Sequence, residues 1–124
     1  MTDLHSSSQF EAELNSISSL IMEMVGLVES QIKYAIDALT NLDSHAVDLI
    51  SRLEERVNAL DVELDAEIST VIATRQPTAK DLRMLLAISK ATADLERIGD
   101  EANKSGRIIK TIIESSAPLN LPIR

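Results

Sequence analysis

Residues 46–78 read AVDLISRLEERVNALDVELDAEISTVIATRQPT, and this stretch decides the fold. Ile50, Val57, Leu64 and Val71 recur every seven residues, and Ala46, Leu53 and Leu60 form a second row beside them. Two such rows make one apolar stripe at helical period, so the spacing predicts a helix over 45–74. Pro77 then disfavours helix at Gln76. Thr78, followed three residues later by Asp81, has the form of a capping box that opens a new helix.

The same period extends to both sides. Upstream, Leu14, Ile21, Val28, Ala35 and Leu42 form one row and Ile17, Met24 and Ala38 another. Val25, Ile32 and Leu39 widen the stripe, which is the pattern of a helix over 9–41 packing on two neighbours. Leu42, Asp43 and Ser44 make a short connection, with Asp43 or Ser44 as N-cap. Downstream, Leu82, Leu85, Ile88, Leu95, Ile98, Ala102, Ile109 and Ile112 predict a helix over 79–115. Gly99 lies inside it at a cost of roughly 0.5–1 kcal/mol relative to alanine, which fits a close approach by another helix or a ligand. Short links between three long helices predict an all-α, up-down-up bundle of antiparallel helices. The domain is expected over 1–116. Pro118 and Pro122 are expected to end the helix and leave 117–124 as a tail or linker.

Composition supports this fold and narrows the function. Of 124 residues 44% are apolar, but Phe10 and Tyr34 are the only aromatic ones, so the core is aliphatic and the methionines read as its filler. The absence of cysteine excludes disulfides and thiolate metal sites. A formal charge of −8 repels phosphate backbones and argues against nucleic-acid binding. The N-terminus lacks the order of a secretory signal, and the apolar run near 21–28 is broken by Glu23 and too short for a membrane span. A cytoplasmic protein is expected.

Oxygen-bearing residues follow the apolar rows at a constant offset. Glu54, Asn58, Asp61 and Asp65 each succeed a core position on the second helix, and Glu96, Asp100 and Asn103 do the same on the third. Carboxylates four apart share a helix face and repel. Asp61, Asp65, Glu96 and Asp100, with Glu54 a further donor, therefore make a candidate site for hard cations such as Mg²⁺, Mn²⁺ or iron. No Glu-x-x-His pair of the ferritin-like kind accompanies them. The same spacing also describes a solvated acidic edge neutralised by Arg97, Lys104 and Arg107, and spacing leaves both readings open. No catalytic motif or phosphate loop is visible, so no enzyme is expected.

Leu95-Glu96-Arg97-Ile98-Gly99-Asp100 resembles the signature of the PhoU family of bacterial phosphate-signalling regulators. Arg75-Gln76-Pro77-Thr78-Ala79 with Asp81-Leu82-Arg83 is similar to its second turn. Val57-Asn58 with Asp61 and Asp65 is similar to its second helix, and Gln9-Phe10 with Glu13-Leu14 to its start. The resemblance implies a three-helix repeat whose (E/D)xxxD motifs fall on Asp61/Asp65 and Glu96/Asp100, where some members hold iron or divalent cations. It implies negative regulation of phosphate uptake and of the phosphate regulon, by contacts between the phosphate ABC transporter and a sensor histidine kinase. Such a protein would be cytoplasmic, meeting the inner membrane only through its partners. The family carries two repeats and this sequence one, so a homodimer that rebuilds the pair is expected. The rival reading is a generic or truncated helical interaction module with neither metal nor regulatory activity.

Overall fold

The computed structural model describes the backbone of residues 2–123 and the side chains of residues 8–115. Three helices follow one another: α1 (Thr2–Asn41), α2 (Ser44–Arg75) and α3 (Ala79–Ile123). At 1.5 Å per residue, α2 is about 48 Å long. All three pairs of helices pack against each other, as the up-down-up arrangement requires.

Both turns are built by their own residues. Leu42 takes a left-handed φ of 51°, and Asp43 N–H donates back to Ala38 O at 3.3 Å, closing α1 with a Schellman-type bond. Asp43 then caps α2, its Oδ1 accepting from His45 N–H at 2.9 Å. At the other end Gln76 is left-handed at φ 47°. Thr78 Oγ1 accepts from Asp81 N–H at 3.4 Å, the N-cap half of the capping box expected there.

Helix ends differ from the sequence expectation. α1 starts at Thr2 rather than near Gln9, because neither glycine nor proline precedes Phe10 to stop it. α3 runs to Ile123 rather than ending at Ser115. Proline's φ near −65° is itself helical; it removes one N–H and crowds the carbonyl four residues back. Pro118 and Pro122 therefore weaken this end without forcing a turn.

The core forms two clusters strung along the bundle. The larger gathers Ile17, Met24, Val28, Val57, Leu60, Leu64, Ile68, Val71 and Leu85, with Phe10 and Leu95 packed against it. The smaller holds Ala38, Ala46, Val47 and Ile109, flanked by Tyr34 and Ile113. Both α2 rows are inside except for Leu53, which is half-buried. Several outer positions are not: Ile32 and Leu39 on α1, Leu42 in the turn after it, and Ile98 and Ile112 on α3 are exposed. Of the methionines, Met24 fills the core while Met22 and Met84 do not. Two neighbours cover only part of each helix's circumference, so the widest edge of each apolar stripe stays outside.

Polar contacts tie the helices together along their edges. Arg75 reaches from α2 to Glu13 at 2.8 Å, and Arg56 holds Glu23 through two bonds of 2.8 and 3.0 Å. Ser16 donates to Glu67 at 3.0 Å.

Candidate functional site along the α2/α3 seam

Two contacts set the antiparallel register of α2 and α3: Ser51 Oγ donates to Asn103 Oδ1, and Lys110 Nζ to Asp48 Oδ1, both at 3.0 Å. On this register Glu54 falls beside Gly99. Asp61 and Asp65 fall beside Ser89, Thr92 and Ala93, with which they line a small cleft of about 110 Å³. The four carboxylates expected to converge are therefore spread along the seam. Glu96 and Asp100 lie one turn and more beyond the Asp61/Asp65 cleft, and their carboxylate neighbour across the seam is Glu54.

Glu54 is the surprise of this row, for it is turned inward and only 7% exposed. Gln31 of α1 meets it there, fully buried. The Gln31 Nε2 donates to Glu54 Oε1 at 3.0 Å and to Ile50 O at 3.3 Å, while Gln31 Oε1 has no hydrogen-bond partner. Gly99 completes the node from α3. A Cβ on Gly99 would stand 2.6 Å from Gln31 Oε1 and 3.1 Å from Glu54 Oε1. Its φ is not positive, so the glycine is required by space and not by backbone conformation.

Burial pushes the Glu54 carboxyl above its ordinary value, because desolvation penalises the charged form. The Gln31 amide opposes this by hydrogen bonding, and the charges of Asp100 and Glu96 push the value further up. Asp100 is held by Lys104 at 3.2 Å, and this contact raises the Lys104 ammonium above its usual range. Arg97 turns to Asp94 at 3.5 Å, so the nearest cation to Glu54 in effect is Arg107.

Among the described residues no three carboxylate or imidazole groups converge closely enough to hold a metal ion. The donor types nonetheless suit hard cations. Glu96 and Asp100 are only partly covered and can turn, Asp100 by releasing Lys104. Gln31 Oε1 is a buried acceptor with unused lone pairs at the inner end of the same row.

The profile of the PhoU domain matches residues 21–109, which spans the inner half of α1, all of α2 and the acidic part of α3. The chain belongs to the PhoU family. It is 45% identical over 121 residues to the phosphate-specific transport system accessory protein PhoU homolog of Burkholderia sp, covering 98% of this chain and 52% of that protein. Against the Escherichia coli K12 accessory protein PhoU the identity is 43% over 119 residues, with 96% and 48% covered. The crystal structure of PhoU from Pseudomonas aeruginosa superposes with a TM-score of 0.83 at 40% identity, over 86% of this chain and 51% of that one. The chain thus spans about half the length of the curated PhoU relatives it matches. Among the described residues no helix is long and apolar enough to cross a membrane.

Proposed function

We propose that this PhoU-family chain is a negative regulator of phosphate uptake and of the phosphate regulon. It acts by protein contacts between the phosphate ABC transporter and a sensor histidine kinase, on the cytoplasmic side of the inner membrane, and without catalysing a reaction. The observation that carries this reading is identity of 43% to a phosphate-specific transport accessory protein over nearly the whole chain. One copy supplies one three-helix unit, and the working form is a homodimer.

The acidic seam supplies its cation chemistry. Glu96 and Asp100, with Asp61, Asp65 and Glu54, take up one or more hard cations such as Mg²⁺, Mn²⁺ or iron, neutralising carboxylates that otherwise repel along two facing helices. Calorimetric titration with each cation tests this against the Glu96→Ala/Asp100→Ala variant. Equal heats from both proteins would remove the metal from the reading.

Deleting the gene in its host is expected to derepress alkaline phosphatase in phosphate-rich medium. Unchanged phosphatase would leave the alternative standing, a helical interaction module without regulatory activity.

A further inference from the structure

Three polar side chains are buried among the described residues: Gln31, Glu54 and Thr92. Two of them are satisfied. Thr92 Oγ1 donates to Ile88 O at 2.8 Å inside its own helix, and Glu54 Oε1 accepts from Gln31 Nε2. Gln31 Oε1 is the exception, an amide carbonyl with no exposure and no hydrogen-bond partner. Position 31 continues the α1 row of Ile17, Met24 and Ala38, where an apolar side chain would fill the space without leaving an acceptor unpaired. Contact with Glu54 and Ile50 accounts for the Nε2 end of this residue. Among the described residues nothing accounts for the other end.

The orphaned oxygen is turned towards α3. The Cβ that Gly99 lacks would stand 2.6 Å from it, so the glycine leaves uncovered a side of the amide that another residue would fill. Glu96 comes three residues before Gly99 and Asp100 one after, and both carboxylates act electrostatically on Glu54. Both are partly exposed, which leaves a way in from the seam. The node therefore gathers one neutral carbonyl from α1, one carboxylate from α2 and two from α3. Asp61 and Asp65 stand apart from it in their own cleft with Ser89, Thr92 and Ala93. Carbonyl and carboxylate oxygens without imidazole or thiolate are the donor set of Mg²⁺, Ca²⁺ and Mn²⁺. The carboxylates have to swing inward to close on an ion, Asp100 by leaving Lys104 at 3.2 Å. Gln31 is already fixed by its two Nε2 bonds, so its carbonyl is preset.

We propose that the Gln31 carbonyl is the inner ligand of the seam's cation site, which all three helices then build: Gln31 from α1, Glu54 from α2, and Glu96 and Asp100 from α3. The inference rests on the cation reading given above and adds to it a residue outside the paired acidic motifs. Gln31 Nε2 holds Glu54 in place, while Oε1 supplies a neutral donor that adds no repulsion to three like charges. Binding ties α1 to the seam, so the cation state of α2 and α3 reaches a helix that carries neither acidic pair.

Calorimetric titration of the whole chain with Mn²⁺ and with Mg²⁺ tests it, with folding checked by circular dichroism. Gln31→Met, close in size and without the carbonyl, is expected to weaken binding about tenfold or more. Gln31→Glu returns an oxygen to the same place and is expected to bind at least as tightly as the wild type, a recovery that a purely packing role would not produce. Ile17→Ala empties a fully buried position of the same α1 row, about four turns away, and is expected to cost stability with Kd unchanged. In the wild type itself, the side-chain amide signals of Gln31 are expected to shift on addition of Mg²⁺ with the calorimetric midpoint. Undiminished affinity of Gln31→Met, no recovery in Gln31→Glu, a matching loss in Ile17→Ala, or amide signals that stay put would each overturn the proposal. The amide signals decide should Gln31→Met fail to fold. The two readings fail separately. Equal heats from wild type and Glu96→Ala/Asp100→Ala remove the cation and this inference with it, whereas wild-type binding that Gln31→Met retains removes Gln31 alone.

Discussion

Substituting Gly99 by alanine should destabilise this protein, although glycine is a poor residue for the middle of a helix. Alanine there gains roughly 0.5–1 kcal/mol of backbone entropy and propensity. Against this, the new methyl group would sit 2.6 Å from Gln31 Oε1, far inside ordinary van der Waals contact. The end of a glutamine side chain is normally free to swing aside. Gln31 is not, because it is fully buried and its amide is tied to Ile50 O and Glu54 Oε1. Moving it forfeits one or two hydrogen bonds at about 0.5–1.5 kcal/mol each, and overpacking adds about 1–3 kcal/mol. Subtracting the helical gain leaves a net loss of about 0.5–5.5 kcal/mol, with Tm falling by about 3–5 °C per kcal/mol for a domain of this size. Gly26 is the internal control, since nothing lies within 4 Å of a Cβ placed there. Gly26→Ala should raise Tm by about 2–4 °C through propensity alone. Thermal melts of both variants, and of Gly99→Ala combined with Gln31→Ala, decide the matter. If Gly99→Ala stabilises as much as Gly26→Ala, or if removing Gln31 does not relieve it, the packing argument is wrong.

Three further outcomes follow from the core and the seam. Leu64→Ala empties a fully buried position of the larger cluster and should cost about 2–5 kcal/mol in urea unfolding, whereas Val62→Ala on the outer face should stay within about 0.5 kcal/mol. Glu54 has its folded carboxyl raised above the unfolded value, so the folded state binds the extra proton between the two values. Stability from this group therefore falls as pH rises from the ordinary carboxylate range through the folded value, and is level above it. Glu54→Gln should remove that slope and gain on the wild type towards neutral pH; difference curves from urea melts at pH 4 to 8 that run flat would refute it. In the calorimetric titrations, any cation that binds should also raise the Tm of the wild type and leave Glu96→Ala/Asp100→Ala unmoved.

Much of the fold was legible because each helix carries its own period. The two α2 rows, the left-handed break before Pro77 and the Thr78 cap are local features, and local chemistry decides them. What the sequence left open was relative placement. A heptad stripe says which face a helix buries but not how far it slides along its neighbour, so it leaves Asp61 and Asp65 free to meet Glu96 and Asp100. The Ser51–Asn103 and Asp48–Lys110 contacts set the slide, and they put Glu54 in that company instead. Gln31 is polar, yet its position carries a signal of burial. Ile17, Met24 and Ala38 leave one gap in a seven-residue row, and position 31 fills it. Burial of Glu54 had a similar trace, for it stands four residues after Ile50 and three before Val57. The outer edge of the stripes, Ile32, Leu39, Ile98 and Ile112, keeps the same period as the buried rows, so period alone does not tell that these residues face solvent.

The polar node of Gln31, Glu54 and Gly99 also interrupts the hydrophobic interior at mid-length. On one side lie nine well-buried residues of large volume; on the other, Ala38, Ala46, Val47 and Ile109 with Ile50 beside them, two of the five being alanines. Apolar burial scales with area, so the end that holds the α1/α2 turn has much less of it to hold it closed. That end should open as a unit of its own while the rest stays shut. Amides near Ala38 and Val47 should then exchange with solvent faster than those near Leu60 and Leu64. The bundle would behave as a rigid stem carrying a yielding tip, with the unused carbonyl of Gln31 at the joint.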